Sequence, residues 1–332
     1  MKKVIFIAFS DLHINDWSKF NNDNKRTQTH FGVLSLVKEA CVKYGCPALF
    51  CGDLFHKPEN ISQNLLNQTL TAFEELDGKG FMIYGISGNH DMNSIVKVNQ
   101  ELKPVSWLTI LSQKFKFLNS IDLSVERFPF ITDEGKLEVS VWGVPYIDHN
   151  IGVNEYIKDL PFKEGHKNIL LLHTDYPGAK DTDGSEVGTS ENLNLNLLNK
   201  FDLVLCGHIH KPQRLSKKTF MVGAPIQQRR TDKNCDMGYW KVYSDMTMTF
   251  IPISQDFPQF IDVPSKEDIK EDGNYYTVIS EKAAMMENAP VNRITRRISK
   301  KRMVRRYLKA KGIEDKKKES ILLDIIKESE DD

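Results

Sequence analysis

The chain has little cysteine and no pattern in what it has. Its five cysteines, Cys41, Cys46, Cys51, Cys206 and Cys235, are an odd number, and no two are spaced as a C-x-x-C pair. The usual signatures of a disulfide framework, a zinc ribbon or a redox motif are therefore missing. Cys51 and Cys206 sit inside apolar runs, as buried free thiols do in a reducing compartment, which predicts a cytoplasmic protein. No apolar run approaches the eighteen or so residues of a membrane span, so no membrane association is expected. Met1-Lys2-Lys3 before Val4–Phe9 has the outline of a signal peptide, but Asp11 and His13 cut the short apolar run at once. Net charge is missing too, because 45 Lys and Arg balance 45 Asp and Glu. That neutrality is an average: from Arg293 to Lys318 thirteen basic residues stand against two acids. Local charge bears on nucleic-acid binding more than the total does. Internal repeats and low-complexity tracts are also lacking.

What the chain does have is five short blocks of metal-binding side chains, each just after an apolar run that reads as a strand. Asp11-Leu12-His13 follows Val4–Phe9, Gly52-Asp53 follows Ala48–Cys51, and Gly88-Asn89-His90-Asp91 follows Phe81–Ile86. His173 follows Ile169–Leu172, and Gly207-His208-Ile209-His210 follows Leu203–Cys206. A strand that ends in a turn delivers its next side chains to one edge of a sheet, and open α/β sheets bind ligands at their carboxyl edges. Asp11, His13, Asp53, Asn89, His173, His208 and His210 can therefore converge. Two Asp, one Asn and four His suit Mn²⁺, Fe²⁺ or Zn²⁺, whereas an all-oxygen set would suit Mg²⁺ or Ca²⁺ better. Seven ligands are too many for one catalytic ion that keeps an open position. With Asp53 bridging, they divide between two. Two ions about 3.5–4 Å apart clamp the attacking and leaving oxygens of an in-line phosphoryl displacement and turn a bridging water into a nucleophile near neutral pH.

At 332 residues the chain exceeds one comfortable core, which predicts one large domain with appendages. Helical spacing of apolar residues marks Thr27–Tyr44 (Phe31, Leu34, Val37, Cys41) and Asn60–Leu76 (Ile61, Leu65, Leu66, Leu70, Phe73). From Val139 onward the chain is strand-rich, with Phe220–Gly223, Gly238–Tyr243 and Met246–Ile253 as late strands. A boundary is expected at Ser254–Pro258. Beyond it, Gln259–Val263 and Tyr275–Ser280 read as strands of a small α/β domain spanning 255–290. Two helical segments follow in 291–332, Ile294–Ala310 and Lys316–Glu328. The second carries Ile321, Leu322, Ile325 and Ile326 on one stripe, too small a face to fold alone.

In order and spacing the five blocks resemble the calcineurin-like metallophosphoesterases, whose pattern is D-x-H, G-D, G-N-H-[DE], H and G-H-x-H. Within that superfamily, Gly52-Asp53-Leu54-Phe55-His56, Gly88-Asn89-His90-Asp91 and Gly207-His208-Ile209-His210-Lys211-Pro212-Gln213 look like the SbcD nucleases. The protein Ser/Thr phosphatases instead carry Asp-Arg-Gly and end the third block in Glu. The resemblance in motifs covers about Val4–Pro225; beyond that it is one of architecture.

It implies an α/β sandwich over 1–254, two packed β-sheets flanked by helices, followed by a capping domain that contacts DNA and a C-terminal helical pair. It implies two Mn²⁺, with Mg²⁺, Fe²⁺ or Zn²⁺ as substitutes. Asp11, His13 and His210 would hold one ion, Asn89, His173 and His208 the other, and Asp53 would bridge. His90 would stabilise the transition state or protonate the leaving oxygen, and His56 would act near the substrate. The implied partners are DNA, an SbcC-type SMC-like ATPase docked by the C-terminal helices, and a second copy forming a homodimer within a heterotetramer.

Other segments are read from their own residues. Asp91 reads as an orienter of His90 or a loop hydrogen-bonder, not a ligand. His30, His149 and His166 lack motif context. The polar, Gly-rich stretch Thr174–Ser190 either lies over the substrate entrance or is disordered. Gln227-Gln228-Arg229-Arg230 would either offer phosphate contacts, Arg229 and Arg230 above all, or form a solvated loop. Ile95–Leu111 carries more apolar surface than a short connection needs, either core or a dimer face. Two alternatives stay open. The same site would serve a small-molecule phosphodiesterase or phosphatase, and a non-catalytic scaffold could keep the metals for structure alone.

Overall fold

Val4–Phe9 contains no polar residue and all its positions are buried, the composition of a strand covered on both faces. Ala48–Phe50 and Leu203–Gly207 share that property. In a computed structural model of the chain, which describes residues 2–16, 25–57, 59, 61–98, 101–147, 152–162, 164–187 and 193–279, these runs become interior strands of two sheets.

The first sheet starts with β1 (Val4–Phe9), β2 (Ala48–Phe50) and β3 (Ile83–Gly85), with α1 (Lys25–Tyr44) and α2 (Gln63–Leu76) between them. A hairpin of β4 (Met92–Val98) and β5 (Glu101–Ser106) and a helix α3 (Trp107–Lys114) lead to its edge strand β6 (Leu118–Ser120). The second sheet takes β7 (Val125–Thr132), β8 (Gly135–Val144) and, after α4 (Val153–Lys158), β9 (Lys167–His173). A short ribbon, β10 (Ala179–Lys180) and β11 (Glu186–Val187), precedes β12 (Leu203–Gly207), β13 (Gln213–Arg214) and β14 (Thr219–Met221). The chain then returns to the first sheet with β15 (Gly238–Tyr243) and β16 (Met248–Pro252).

The two sheets run β16-β15-β1-β2-β3-β6 and β13-β14-β12-β9-β8-β7. Each has four parallel strands, β1, β2, β3, β6 in one and β8, β9, β12, β14 in the other. The remaining strands, β15 and β16 in the first and β7 and β13 in the second, pair antiparallel with their neighbours. The period of two distributes side chains between layers. Leu49, Cys51, Ile169, Leu171, Leu203 and Leu205 meet between the sheets. Their neighbours Ala48 and Phe50 face α1 and α2, and Leu170, Leu172, Val204 and Cys206 face the opposite outer layer with Val153 and Ile157 of α4. In β1 a bulge between Val4 and Phe6 puts Ile5 and Phe6 on the same side.

The architecture is thus two mixed sheets packed face to face with helices outside, as the resemblance implied. The second sheet begins at Val125, earlier than the strand-rich region suggested. β7 is an antiparallel edge strand carrying Pro129 and alternating in burial, so it lacks the continuous apolar run of an interior strand. The helix expected from Asn60 starts at Gln63, where the Ser62 side chain caps the Leu65 N–H. In Ile95–Leu111, Leu108 and Leu111 enter the core while Val105 and Ile110 are 38% and 49% exposed.

β17 (Phe260–Val263) and β18 (Tyr275–Val278) form a two-stranded parallel sheet inside a compact unit that runs from Met1 to Val278. A second unit comprises Ile279–Asp332; its residues 280–332, with both expected C-terminal helices, lie outside the described residues, as does His149. Among the described residues no helix is long and apolar enough to cross a membrane. Four cysteines are buried, Cys235 is half-buried, and none is in a disulfide.

Candidate dimetal centre

The parallel strands of both sheets end at one place, and the turns after them are bent hard. Asp11, His13, Asp53 and His208 all have positive φ, at 52°, 50°, 62° and 96°. Each such residue without a glycine's freedom stores about 1–3 kcal/mol, a strain that persists only where surrounding structure imposes it. The block glycines are equally constrained. A Cβ on Gly52 would lie 2.4 Å from the His173 ring, and one on Gly88 would lie 2.0 Å from an Asp53 carboxylate oxygen.

These turns bring all seven expected ligands together. One potential ligand atom each from Asp11, His13 and His210 lie within 4.8 Å of one another, and so do those of Asp53, His173 and His208. The Nε2 atoms of His13 and His210 face each other at 3.0 Å. Asn89 Oδ1 lies 3.0 Å from both His173 Nε2 and His208 Nδ1. Asp53 Oδ2 stands between the two groups, 3.6 Å from His13 Nε2 and 3.4 Å from His173 Nε2. The arrangement fits two divalent cations: two fully buried carboxylates, Asp11 and Asp53, face the imidazole nitrogens of His13, His210, His173 and His208.

Electrostatics point the same way. Burial alone would raise Asp53, yet His173 and His13 hold its carboxyl well below the ordinary carboxylate range. Burial likewise opposes charge on His173, but the Asp53 carboxylate outweighs it and lifts the imidazole to about 9. Without an ion, a proton on His173 supplies the positive charge this pocket needs, so metal binding must displace it. His173 Nδ1 is 2.7 Å from the Cys51 carbonyl; an N–H donated there leaves Nε2 aimed into the centre.

His90 and His56 stack at the rim, ring centroids 5.1 Å apart, and His90 meets the His13 ring edge-on at 4.9 Å. His90 Nδ1 is 2.5 Å from the His56 carbonyl and its backbone N–H donates to Asp53 Oδ1 at 2.8 Å. Asp91 is the loop organiser anticipated from sequence: its carboxylate accepts the backbone N–H groups of Asp53, Leu54, Phe55 and Gly88 at 2.7–3.1 Å.

A cleft of about 350 Å³ opens onto these groups, and Asp175, Asp181 and Val187 line it, so Thr174–Val187 does lie at the entrance. Arg229 lines it too, ion-paired with Asp181 at 2.5 Å and with Asp232 at 3.3 Å. Arg230 is not among the lining residues and is bidentate to Asp262 on β17, at 2.7 and 2.9 Å. Gln228 is 6% exposed and turned beneath the centre. His30 is a fully buried residue of α1, and His166 sits at Ser140, 2.9 Å from its hydroxyl.

Sequence reasoning missed three supports. Asp175 Oδ1 is 3.1 Å from His208 Nε2, Asp232 Oδ2 is 3.6 Å from His210 Nδ1, and Gln228 donates to the Asp11 and Leu12 carbonyls. Asp175, two residues past His173, was the only one within reach of a local signal.

Residues 5–212 match the model of the calcineurin-like phosphoesterase family. Over 294 residues the chain is 24% identical to the SbcD component of the SbcCD nuclease of Staphylococcus epidermidis, covering 82% of this chain and 74% of that protein. Among solved structures, a dimetal phosphatase of Danio rerio shares 11% identity over 73% of this chain and 93% of its own, with a TM-score of 0.43. GAP50, the anchor in the inner membrane complex of Plasmodium, shares 10% over 76% and 90%, with a TM-score of 0.39.

Proposed function

The chain belongs to the calcineurin-like phosphoesterase family, and from that premise we propose that this dimetal phosphoesterase is a DNA phosphodiesterase, the nuclease subunit of an SbcC–SbcD-like end-processing complex in recombination and double-strand-break repair. It acts as exonuclease on duplex ends and endonuclease on single strands. The observation that carries the reading is the similarity to the SbcD component of a bacterial SbcCD nuclease over 82% of the chain, which runs past the phosphoesterase match. Mn²⁺ is the proposed ion.

Asp11, His13 and His210 hold one ion, Asn89, His173 and His208 the other, and Asp53 stands between them. The bound pair supplies Lewis-acid charge at the phosphoryl oxygens and lowers the pKa of water toward neutrality. The remaining work falls to the protein. His90, whose Nδ1–H donates to the His56 carbonyl, presents Nε2 and, as the doubly protonated imidazolium, stabilises the transition state or passes the Nε2 proton to the leaving oxygen, water restoring it afterwards. His56, stacked beside it, orients the scissile phosphate. Residues 255–290 form a DNA-contacting cap, and 291–332 dock the ATPase, with the basic run Arg293–Lys318 contacting phosphate backbone as well. A homodimer completes the assembly.

A second reading, a small-molecule or nucleotide phosphodiesterase, draws on the cleft itself. Arg229 is the one Lys or Arg among its described lining residues and is already paired with two carboxylates, while Asp175 and Asp181 stand at the entrance. Mn²⁺-dependent cleavage of linear duplex and single-stranded DNA, set against hydrolysis of bis-p-nitrophenyl phosphate, separates the two. Activity on the small diester alone would end the nuclease reading. His90→Ala should keep both ions and lower DNA turnover about 10²–10⁴-fold; unchanged turnover would remove His90 from the mechanism.

A further inference from the structure

Gln227 and Gln228 are adjacent, both buried, and face different neighbours. The Gln227 side chain turns to the small sheet: its Oε1 accepts from Phe260 N at 2.7 Å and its Nε2 donates to Gln259 Oε1 at 2.9 Å. The Gln228 side chain turns to the metal centre. Its Nε2 donates to the carbonyls of Asp11 and Leu12 at 3.2 and 3.0 Å. Its Oε1 accepts from Arg26 Nη2 at 2.9 Å, and the same nitrogen donates to the Gln227 carbonyl at 2.7 Å. Arg26, 2% exposed, lies 5.6 Å from the ring of Tyr275 on β18. The Gln228 backbone N–H donates to Asp232 Oδ2 at 2.8 Å.

The two carbonyls that Gln228 holds belong to the turn whose Asp11 and His13 both carry positive φ. A turn in that conformation springs back unless its peptide groups are tied. Asn15 ties its far end, donating from Nδ2 to the His13 carbonyl at 2.7 Å. Gln228 ties its middle from the opposite side of the chain. The orientation of Asp11 and His13 therefore depends on an amide that Arg26 in turn fixes by occupying its oxygen, which leaves the NH₂ to face the turn.

We infer that Gln228, locked by Arg26, is a positioning residue for one ion of the pair, the one assigned to Asp11, His13 and His210. It sets that ion's affinity by holding the strained turn. This rests on the dimetal reading above and goes beyond it in making the two ions unequal in their dependence on a residue that touches neither. Outer supports of metal ligands typically change affinity 10–100-fold when removed, and the effect should fall on one ion only.

The test is Mn²⁺ binding to the full-length protein without substrate, followed by calorimetry and by the paramagnetic resonance signal of free Mn²⁺. Gln228→Met keeps the volume and removes both hydrogen-bonding functions. Gln228→Asn keeps the amide on a shorter stem and serves where the Met variant fails to fold. Gln227→Met, which disturbs the small sheet and not the turn, is the control. The expected result is that both Gln228 variants lose one Mn²⁺ equivalent by 10–100-fold in affinity while the other binds as in the wild type, and Gln227→Met retains both. Two wild-type-like affinities in a folded Gln228 variant would overturn the inference. So would equal weakening of both ions by Gln228 and Gln227 variants, which marks a general loss of packing. A wild-type protein that binds fewer than two Mn²⁺ would instead sink the dimetal reading itself.

Discussion

At the edge of the first sheet, Asp11, His13 and Asp53 are 0%, 3% and 1% exposed, and the turns that carry them are knitted by backbone hydrogen bonds. Asp11 N donates to Gly52 O and His13 N to Asp53 O, both at 2.9 Å, and Asp91 gathers four further N–H groups. At the edge of the second sheet, His208 and His210 have side chains 26% and 15% exposed. Their surroundings are carboxylates on other segments: Asp175 against His208, and Asp232 with Arg229 and Asp181 near His210. The first half of the centre is held by main-chain bonds and one buried carboxylate, whereas the imidazoles of His208 and His210 face half-exposed or loop-borne carboxylates. The first half should therefore be rigid and indifferent to salt, the second adjustable and sensitive to it.

The largest effect should come from the residue where the halves meet. Asp53→Ala removes the carboxylate between the two groups of ligands. Both ions should be lost at concentrations that saturate the wild type, and phosphodiester hydrolysis should fall to background. Measuring bound metal after desalting checks it. Retention of two ions would mean that the halves bind independently and the comparison is drawn in the wrong place.

Next, Asp91→Ala leaves the N–H groups of Asp53, Leu54, Phe55 and Gly88 without their acceptor. At about 1–3 kcal/mol for each buried group left unsatisfied, partly relieved by water, the fold should lose about 3 kcal/mol or more. Denaturant titration of the metal-free protein reads this directly. A loss below about 1 kcal/mol would remove the distinction between a main-chain-braced half and a looser one.

What could be read from the sequence divides along the same line. A ligand in the turn just past an apolar run is a local statement, so Asp11, His13, Asp53, Asn89 and the Gly207–His210 block were all visible, as was the helix ending at Leu76. Asp91 was legible as an organiser because it adjoins His90. Asp232 and Gln228 were not, since neither belongs to a block: Gln228 reaches the Asp11 turn from the far end of the fold's sequence, and Asp232 reaches His210 from a separate later loop. Gln228 read as a phosphate contact from its expected place near the active-site rim; it does line the cleft, but it is largely buried and its amide holds the Asp11 and Leu12 carbonyls. Arg230 read the same way and is bidentate to Asp262. β7 escaped because an edge strand with a proline alternates weakly. Periodicity reports burial on a face, and a residue's long-range partner leaves no trace in it.

The pair that joins the halves across the sheets, His173 with Asp53, makes stability without metal depend on pH. His173 is raised from its ordinary 6.5 to about 9, so its contribution is full below about 6.5 and is lost as pH rises through 9. Asp53 is held low, so its contribution is present above its ordinary range near 3.8 and disappears in acid. The contribution of this pair should thus be largest between about pH 4 and 6.5, and about 3 kcal/mol of it should be lost by pH 9. Added Mn²⁺ should reverse the slope, because binding displaces the His173 proton and is favoured by high pH. Thermal melts across pH 5–9 with and without metal check the sign; a metal-free protein that gains stability toward pH 9 would contradict the charge pair.

The smallest effect is expected at Arg229. Its guanidinium joins Asp181 on the entrance segment to Asp232 behind His210, but the side chain is 45% exposed. Coulombic attraction there is screened, so Arg229→Ala should change global stability by about 0–1 kcal/mol. Its local consequence should be larger. Asp232 would keep the N–H groups of Gln228 and Arg229 and the Thr182 hydroxyl, while Asp181 would lose the cation it shares with it. The segment around Asp181 should then exchange its amides faster, and the wild-type protein should show the same increase when salt is raised. Hydrogen exchange at 174–187, compared at low and high salt in both proteins, reads this. If the variant and the wild type exchange alike at low salt, the second half is held by something other than its ion pairs. If Arg229→Ala instead destabilises the fold as much as Asp91→Ala, the two halves are equally braced and the contrast between them fails.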